Sequence, residues 1–293
     1  RKILSDTKKR KDLRKKLKTL EIDKDNPLEG ILLIQMFEKS SLRTRLSFYL
    51  AIRQLGGSAL TLRPDELHLS KGGESLSDTA KILSTYGDVF VLRTDNEKKL
   101  NSFKKFLSIP LINGLSPNSH PAQILSDIFT IEEITKKNIS RLNICWIGDS
   151  NNVLNSLIEA SIKFSFKLNI GCPKNYSPPN EMLRMIRQKS SKIKIFNNPK
   201  VAIKNADVVL TDKVISMNDK VNKKKKIKDF LNFRINSKLM SLSNKAILLH
   251  CLPRGSEITD EVFYGKKSKV WQQALNRVHV QKSILLYCLN KLR

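Results

Sequence analysis

Hydroxyl side chains and two arginines stand together where an apolar run gives way to a helix-like stretch. The segment Phe37-Glu38-Lys39-Ser40-Ser41-Leu42-Arg43-Thr44-Arg45 lies between apolar residues 31–36 and residues 46–55. A helix N-terminus presents unpaired backbone N–H groups and the positive end of the helix dipole, and arginine forks match phosphate oxygens. The segment therefore predicts an anion site. It fits about equally well an ordinary serine-capped helix with solvated arginines.

Two later motifs favour the anion site. His120-Pro121-Ala122-Gln123 begins a second amphipathic helix, and His250-Cys251-Leu252-Pro253-Arg254 follows the buried-strand pattern of residues 246–249. Together with the first segment they resemble the carbamoyltransferase family, whose carbamoyl phosphate site combines an S-T-R-T-R helix start with an H-P-x-Q turn. The resemblance to the ornithine branch of that family rests on the H-C-L-P-R form, on Asp212 followed by Ser216-Met217, and on Gly148-Asp149-Ser150-Asn151-Asn152. It runs from about residue 28 to residue 289.

The resemblance implies an enzyme that transfers the carbamoyl group from carbamoyl phosphate to the δ-amine of L-ornithine, giving L-citrulline and phosphate. No metal or organic cofactor is expected. The reaction would serve arginine biosynthesis, or a urea-cycle or arginine-catabolic equivalent. It needs the phosphate held, the carbonyl oxygen polarised and an uncharged amine. Donors aimed at developing negative charge contribute about 3 kcal/mol each, so a convergent set would account for much of the rate.

The site residues that the resemblance implies divide between the two substrates. Carbamoyl phosphate would be bound by Ser41, Leu42, Arg43, Thr44, Arg93, His120, Gln123, Cys251, Leu252 and Arg277. L-Ornithine would be bound by Asn152, Asp212, Ser216 and Met217. The catalytic residues would be Arg93, His120, Gln123, Asp212, Cys251 and Arg277. Taken singly, His120 fits a helix cap, Arg93 a surface arginine, Asp212 a turn residue and Cys251 a core residue, so the assignment depends on the ensemble.

Three positions depart from the family pattern. Leu42 replaces the usual Thr of the first motif, and Val214 and Asn218 replace the Trp and Gly of the D-x-W-x-S-M-G loop. Closure of such loops excludes water and completes the site, so the last two changes predict weakened closure over ornithine. Two alternatives stay open. One is a carbamoyltransferase with a different amine acceptor, and the other is a catalytically decayed basic binding protein.

Strands alternate with helices along the chain. The predicted strands are residues 31–36, 58–62, 89–93, 110–113, 142–147, 167–171, 192–196, 208–210 and 247–249. The predicted helices are residues 8–20, 44–55, 75–86, 100–107, 121–133, 155–164, 181–188 and 274–292. Such alternation predicts an α/β fold of two domains, each a mostly parallel sheet flanked by helices, joined by interdomain helices. Residues 142–164 lack G-x-G-x-x-G, which disfavours a dinucleotide site.

A basic polar stretch, residues 135–141, marks the predicted domain boundary. We expect a carbamoyl phosphate-binding domain over residues 1–134 and an ornithine-binding domain over residues 135–275. A C-terminal helix, residues 276–293, would return to the first domain. The glycine-hinged segment Ser70-Lys71-Gly72-Gly73-Glu74-Ser75 meets a neighbouring subunit in the family, which implies a homotrimer.

The composition gives a net charge of +27 with only 6% aromatic residues. The densest basic blocks, residues 8–18 and 223–226, lack the interleaved aromatics of a nucleic-acid stacking surface, so no nucleic-acid partner is expected. No apolar run approaches the roughly 20 residues that cross a bilayer. The four widely spaced cysteines indicate a reduced, cytoplasmic setting. The chain begins at Arg1, which leaves an organelle-targeting segment open.

Overall fold

The chain folds into two compact units of α/β architecture. The computed structural model describes residues 1–63, 73–215 and 222–292. Unit 1 contains Arg1–Ser126 and Leu275–Arg293, and unit 2 contains Asp127–Ala274. Each unit holds one sheet in which every pair of neighbouring strands is parallel. The predicted fold class is confirmed. The domain limits 1–134, 135–275 and 276–293 stay a prediction.

The regular elements follow the predicted alternation. The strands are β1 (Leu32–Phe37), β2 (Ser58–Leu62), β3 (Val89–Arg93), β4 (Leu111–Leu115), β5 (Asn143–Ile147), β6 (Lys167–Gly171), β7 (Ile193–Phe196), β8 (Val208–Thr211) and β9 (Ile247–His250). The helices are α1 (Lys2–Leu13), α2 (Leu42–Gln54), α3 (Leu76–Tyr86), α4 (Glu97–Phe106), α5 (Pro121–Thr135), α6 (Asn152–Phe164), α7 (Asn180–Lys189), α8 (Pro199–Ala202), α9 (Lys223–Asp229), α10 (Ser237–Met240), α11 (Asp260–Phe263) and α12 (Val270–Cys288). The helices α5 and α12 each pass from one unit into the other.

In each sheet the strand order brings loops that carry predicted motifs to the point where the direction of strand addition reverses. The sheet of unit 1 has the order β2-β1-β3-β4, and that of unit 2 has the order β7-β6-β5-β8-β9. The direction in which successive strands are added reverses between β1 and β3 and again between β5 and β8. Open parallel sheets bind ligands beyond the carboxyl ends of the strands at such a reversal. The segment after β1 and the residue Arg93 lie at the first reversal, and the segment after β5 and Asp212 lie at the second.

The two terminal helices differ most from the sequence prediction. The first was predicted over residues 8–20, but α1 ends at Leu13. Arg14 follows it, and its guanidinium donates at 2.7 Å to the backbone carbonyls of Lys18 and Glu21. These bonds hold a turn where helix propensity alone predicts another helical turn. The last helix is α12, which begins and ends four residues before the predicted 274–292. It stops just before Asn290, which has a left-handed φ of 56°.

A buried ionic cluster connects α1 and α12 inside unit 1. The carboxylate of Asp23 lies 2.7 Å from the Arg14 guanidinium, 3.5 Å from that of Arg10 and 2.5 Å from Lys282 Nζ. Burial lowers the pKa of Lys282 to about 8, although Asp23 acts in the opposite direction. The Asp23 carboxylate therefore serves three cations, of which Arg10 also pairs with Asp6 and Asp25.

We expect Asp23→Asn to lower the free energy of unfolding by about 3–5 kcal/mol, because it leaves the buried Arg14 and Lys282 without this counter-charge. Arg14 cannot release a proton to relieve this. The matched control is Asp25→Asn. Asp25 pairs with the same Arg10, but its side chain is 54% exposed, so the loss should stay within about 1 kcal/mol. Urea unfolding of both variants measures the difference, and equal losses would contradict a buried cluster.

Candidate functional site

The start of α2 lies beside the carboxyl end of β3. Phe37 and Arg93, the last residues of β1 and β3, are in register, and the Glu38 N–H donates to the Arg93 carbonyl at 3.0 Å. The Arg93 guanidinium donates to the Ser41 hydroxyl at 3.3 Å. Ser41 precedes α2, yet its side chain makes no capping hydrogen bond. The serine-capped alternative is therefore wrong, and the Ser41 hydroxyl does not occupy the backbone N–H groups of this helix start.

Arg277, on α12, joins the first turns of two other helices. Its Nη2 donates at 2.7 Å to the hydroxyl of Thr44 on α2. Its Nη1 donates to Oε1 of Gln123 on α5. All three side chains are buried. Both partners are uncharged, so these bonds orient the guanidinium without neutralising it.

His120 lies buried at the start of α5 among arginines. Burial lowers the pKa of His120 well below its ordinary value, and the charges of Arg277, Arg93 and Arg43 lower it further, in that order. The imidazole is therefore neutral at physiological pH, so it donates a hydrogen bond from one ring nitrogen only. The charges of three arginines thus act at one neutral histidine. A positively charged cluster of this kind suits a phosphate-bearing ligand.

Two ion pairs, Glu38 with Lys99 and Lys39 with Asp95, hold the segment between β1 and α2. Glu38 accepts hydrogen bonds from the Thr94 hydroxyl and from Lys99 Nζ. Lys39 pairs with Asp95 at 2.7 Å, and the pKa of that carboxyl is lowered, mainly by its hydrogen bond from Lys39. Sequence reasoning did not single out these supporting residues, although Glu38 and Lys39 stand inside the leading motif. They fix the segment to the end of β3, where Arg93 lies.

Leu42 is the first residue of α2, and its side chain is 63% exposed. The leucine thus packs little, and its removal should cost almost no stability. We expect Leu42→Thr to keep or improve affinity for carbamoyl phosphate, by up to roughly 100-fold, because one added hydrogen bond to a charged ligand contributes about 1.5–3 kcal/mol. Titration calorimetry of wild type and variant tests this. A large loss of affinity would show that the leucine itself shapes the site.

The segment after β5 contacts the end of β8 in unit 2. Asn151 caps α6, where its side-chain oxygen accepts from the N–H groups of Val153 and Leu154. Its amide nitrogen donates to the Asp212 carboxylate at 2.9 Å. Sequence reasoning selected Asn152, which is the first residue of α6, and missed Asn151. The adjacent Asn-Asn pair and the start of a helix pattern were the available signal, since asparagine is a preferred cap.

Asp212 is a half-buried residue whose carboxyl group has a perturbed pKa. Burial raises the pKa of Asp212, while His250 and the backbone N–H of Lys213 act in the opposite direction. A buried carboxylate with a raised pKa suits a partner that brings positive charge. Cationic amines are partners of that kind.

His250 and Glu257 organise the turn that contains Cys251. The Leu252 N–H donates to His250 Nδ1 at 2.8 Å, so the ring proton lies on Nε2, which is 2.9 Å from Glu257. Glu257 also accepts from the N–H groups of Gly255 at 2.5 Å and Val214 at 3.4 Å. Burial raises the pKa of Glu257, but the hydrogen bonds from His250 and Gly255 bring it below its ordinary value. One ionised carboxylate thus holds both this turn and the chain just after Asp212.

The loop in which Val214 and Asn218 depart from the family pattern is described by the structure only at its start, up to residue 215. Val214 is buried and packs with Phe230 and Phe233 in the core of unit 2. A β-branched core residue therefore stands where the family pattern has Trp. The predicted ligands Ser216 and Met217, the departure Asn218, and residues 70–72 of the glycine-hinged segment lie outside the described residues.

The structure assembles the predicted site residues in two groups. Unit 1 holds Ser41, Leu42, Arg43, Thr44, Arg93, His120, Gln123 and Arg277. Unit 2 holds Asn152, Asp212, Cys251 and Leu252. Within residues 1–63, 73–215 and 222–292, no group of three or more His, Cys, Asp or Glu side chains could hold a metal ion. No helix in these ranges is long and apolar enough to cross a membrane.

Comparison with known proteins gives matches over nearly the whole chain. Residues 1–133 match the family model "Aspartate/ornithine carbamoyltransferase, carbamoyl-P binding domain", and residues 140–288 match the "Asp/Orn binding domain" of the same family. The ornithine carbamoyltransferase of Rhizorhabdus wittichii is 40% identical over 273 residues, which cover 92% of this chain and 87% of the relative. That of Rhodopseudomonas palustris is 42% identical over 271 residues, covering 91% and 86%.

Solved structures agree with the sequence comparison. The ornithine carbamoyltransferase of Pyrococcus furiosus superposes with a TM-score of 0.91 at 35% identity, covering 100% of this chain and 93% of that one. The anabolic ornithine carbamoyltransferase of Campylobacter jejuni has a TM-score of 0.86 at 37% identity, covering 99% and 95%.

Two parallel-sheet units, one with an arginine-rich anion pocket and the other with a buried carboxylate, define a two-substrate transferase. The chain belongs to the aspartate/ornithine carbamoyltransferase family.

Proposed function

We propose that the chain is an ornithine carbamoyltransferase, which transfers the carbamoyl group from carbamoyl phosphate to the δ-amine of L-ornithine and releases L-citrulline and phosphate. The observation that carries the proposal is the set of contacts that gathers arginines at the starts of α2 and α5, where Arg93 bonds to Ser41 and Arg277 bonds to Thr44 and Gln123. The relatives named above are ornithine carbamoyltransferases, which supports the choice of acceptor.

The groups of unit 1 serve the carbamoyl donor. Ser41, Thr44, Arg43 and the backbone of Leu42 bind the phosphate, and Arg93 bridges phosphate and carbonyl oxygen. Attack of the amine places negative charge on that oxygen, and the bond from the carbonyl carbon to the phosphate oxygen then breaks. Arg277, His120 and Gln123 donate to the carbamoyl group. The neutral His120 donates to the carbonyl oxygen from one ring nitrogen, and the positive charge at the site comes from the arginines.

The groups of unit 2 serve the acceptor. Asn152, Ser216 and Met217 bind the α-amino acid end of ornithine, and Asp212 binds the side-chain amine. Ornithine arrives as an ammonium ion, yet the nucleophile is the neutral amine, so one proton must leave before attack. Asp212 and Cys251 assist that step, and the Leu252 carbonyl accepts a hydrogen bond from the carbamoyl nitrogen. The Asn151 amide keeps the Asp212 carboxylate oriented.

A citrulline assay on the purified chain tests the proposal. We expect product with L-ornithine and carbamoyl phosphate. Product with aspartate, putrescine or an acylated ornithine instead would contradict the acceptor assignment and support the second candidate function, a carbamoyltransferase for another amine. Val214 in place of the family Trp is the observation that favours this second candidate.

A thermal-shift measurement separates the enzyme from a decayed binding protein. A ligand at 100 times its dissociation constant adds about 2.7 kcal/mol of stability. We expect a clear shift with carbamoyl phosphate. No shift and no product with any acceptor would favour the decayed protein.

We infer that the protein acts as a homotrimer in the cytoplasm, in arginine biosynthesis. The exposed apolar side chains Leu46 and Tyr49 of α2, and Leu60 of the neighbouring edge strand β2, support a second subunit at this face. The name of the Campylobacter jejuni protein, an anabolic enzyme, supports the biosynthetic direction. Light scattering should give about three times the chain mass of 33.5 kDa. A monomer mass at working concentration would refute the trimer.

A further inference from the structure

One lysine of α9 is buried in a helix that is otherwise solvated. The sequence of α9 is KKKKIKD, and Lys226 is only 2% exposed, whereas Lys223, Lys224, Lys225 and Lys228 are exposed. Burying an ammonium group is costly unless a charged partner compensates it. The sequence pattern alone predicts a solvated basic face here, so the burial of Lys226 calls for a specific partner.

That partner is Asp149, in the segment after β5. Lys226 Nζ lies 2.5 Å from the Asp149 carboxylate, and both side chains are largely buried. The ammonium group also lies 5.7 Å from the centre of the Tyr176 ring. The Tyr176 hydroxyl donates to Asp229 at 2.9 Å, and its ring packs on Phe230 at 4.8 Å. Contacts in the middle and at the C-terminal end of α9 therefore fix this helix against Asp149 and Tyr176.

Asp149 stands inside the segment that contacts Asp212. The backbone carbonyl of Asp149 accepts a hydrogen bond from the Trp146 indole at 3.1 Å. Two residues further on, Asn151 caps α6 and donates to the Asp212 carboxylate. Asp212 and Lys226 are thus both held by one short segment. Asn151 contacts Asp212, and Asp149 contacts Lys226.

We propose that Lys226 and Asp149 form a positioning pair for the acceptor, which fixes the residue 148–152 segment and through it the Asn151–Asp212 contact. This inference rests on the proposed function. Neither side chain is assigned to a substrate, so loss of the pair should act on the binding of ornithine and leave the carbamoyl phosphate pocket of unit 1 unchanged. A purely structural ion pair would instead lower stability without any preference between the two substrates.

The test compares Lys226→Met with Lys225→Met, an exposed neighbour that loses the same charge. We expect Lys226→Met to raise KM for L-ornithine at least tenfold, with KM for carbamoyl phosphate changed less than twofold. Lys226→Arg should restore most of the loss, because a guanidinium also pairs with Asp149. Lys225→Met should behave like wild type. If Lys226→Met does not fold, Lys226→Gln replaces it, since an amide keeps a hydrogen bond to Asp149 without the charge.

Asp149→Asn should raise KM for L-ornithine in the same selective way. Expressed as free energies, the effect of the double variant with Lys226→Met on this KM should be smaller than the sum of the effects of the two single variants. Wild-type activity in the same assay distinguishes failure of the positioning pair from failure of the proposed function. If the wild type forms citrulline and these variants leave KM for ornithine unchanged, the positioning pair is refuted and the proposed function stands. If the wild type forms no citrulline, the proposed function fails and this inference fails with it.

Discussion

Replacing Arg43 with alanine should weaken carbamoyl phosphate binding by at least roughly 100-fold while the protein stays folded. Hydrogen bonds to a charged group contribute about 1.5–3 kcal/mol each, and an arginine fork forms two with a phosphate. Arg43 is half-buried beside the start of α2, and its charge acts on the buried His120. We therefore expect Arg43 to contact a ligand rather than the core. Titration calorimetry measures the affinity, and circular dichroism checks the fold.

Arg45→Ala is the matched control, because it removes the same charge from an exposed position on the same helical turn. We expect it to change the affinity less than fivefold, through the general positive field alone. Equal effects of the two substitutions would mean that the net charge, not a built site, attracts the phosphate. An unchanged affinity in Arg43→Ala would remove the leading motif from the site.

The second large effect is expected for Asp212→Asn, which should lower kcat/KM for L-ornithine by about 100- to 1000-fold, equivalent to about 3–4 kcal/mol. The amide has the same shape and keeps contact with Asn151, but it offers no charge to the amine. KM for carbamoyl phosphate should change little. Asp207→Asn is the control, because Asp207 precedes the same strand β8 at its opposite end, where it accepts from the Asn143 N–H at 2.8 Å.

The pH profile gives an independent check on Asp212. Burial raises its pKa, so on acidification the carboxylate takes up a proton at a higher pH than an ordinary aspartate does. The protonated form cannot pair with a cationic amine. Wild-type kcat/KM for ornithine should therefore show an acid-side ionisation of Asp212 in addition to that of the ornithine amine, and only the ionisation of Asp212 should be lost in Asp212→Asn. An identical acid limb in both proteins would assign it to another group.

The sequence predicted those parts of the fold that depend on local patterns. The strands β2, β3 and β6 begin and end at the predicted residues, since continuous or alternating apolar runs bounded by polar residues define strands. The ends of α1 and α12 were not predictable in this way. The turn after α1 depends on the Arg14 side chain bonding to carbonyls four and seven residues later. Propensity scales contain no term for such contacts.

The candidate site was predicted as a set of motifs, but not as a set of contacts. The leading motif named Ser41 as a hydroxyl ligand, while its bond to Arg93 joins residues 52 positions apart. Glu257 was overlooked, although it serves His250 and Val214 together, because it looks like any loop glutamate in the sequence. Lys226 was hidden within a run of lysines. Partners distant in sequence decide all three cases, and one sequence does not reveal which residues the fold brings together.

The reversal of strand order in each sheet has a consequence for divergence within the family. Residues beyond the carboxyl end of a parallel strand take no part in the hydrogen-bond ladder, so substitutions there leave the sheet intact. The anion pocket and the acceptor residues follow strands of separate sheets. Mutation near the proposed acceptor residues can therefore change which amine is accepted while the proposed anion site of unit 1 stays the same. Val214 limits this freedom, because its side chain is part of the core and its N–H contacts Glu257. A substitution at that position, such as one to the family's Trp, would accordingly have to repack this core as well.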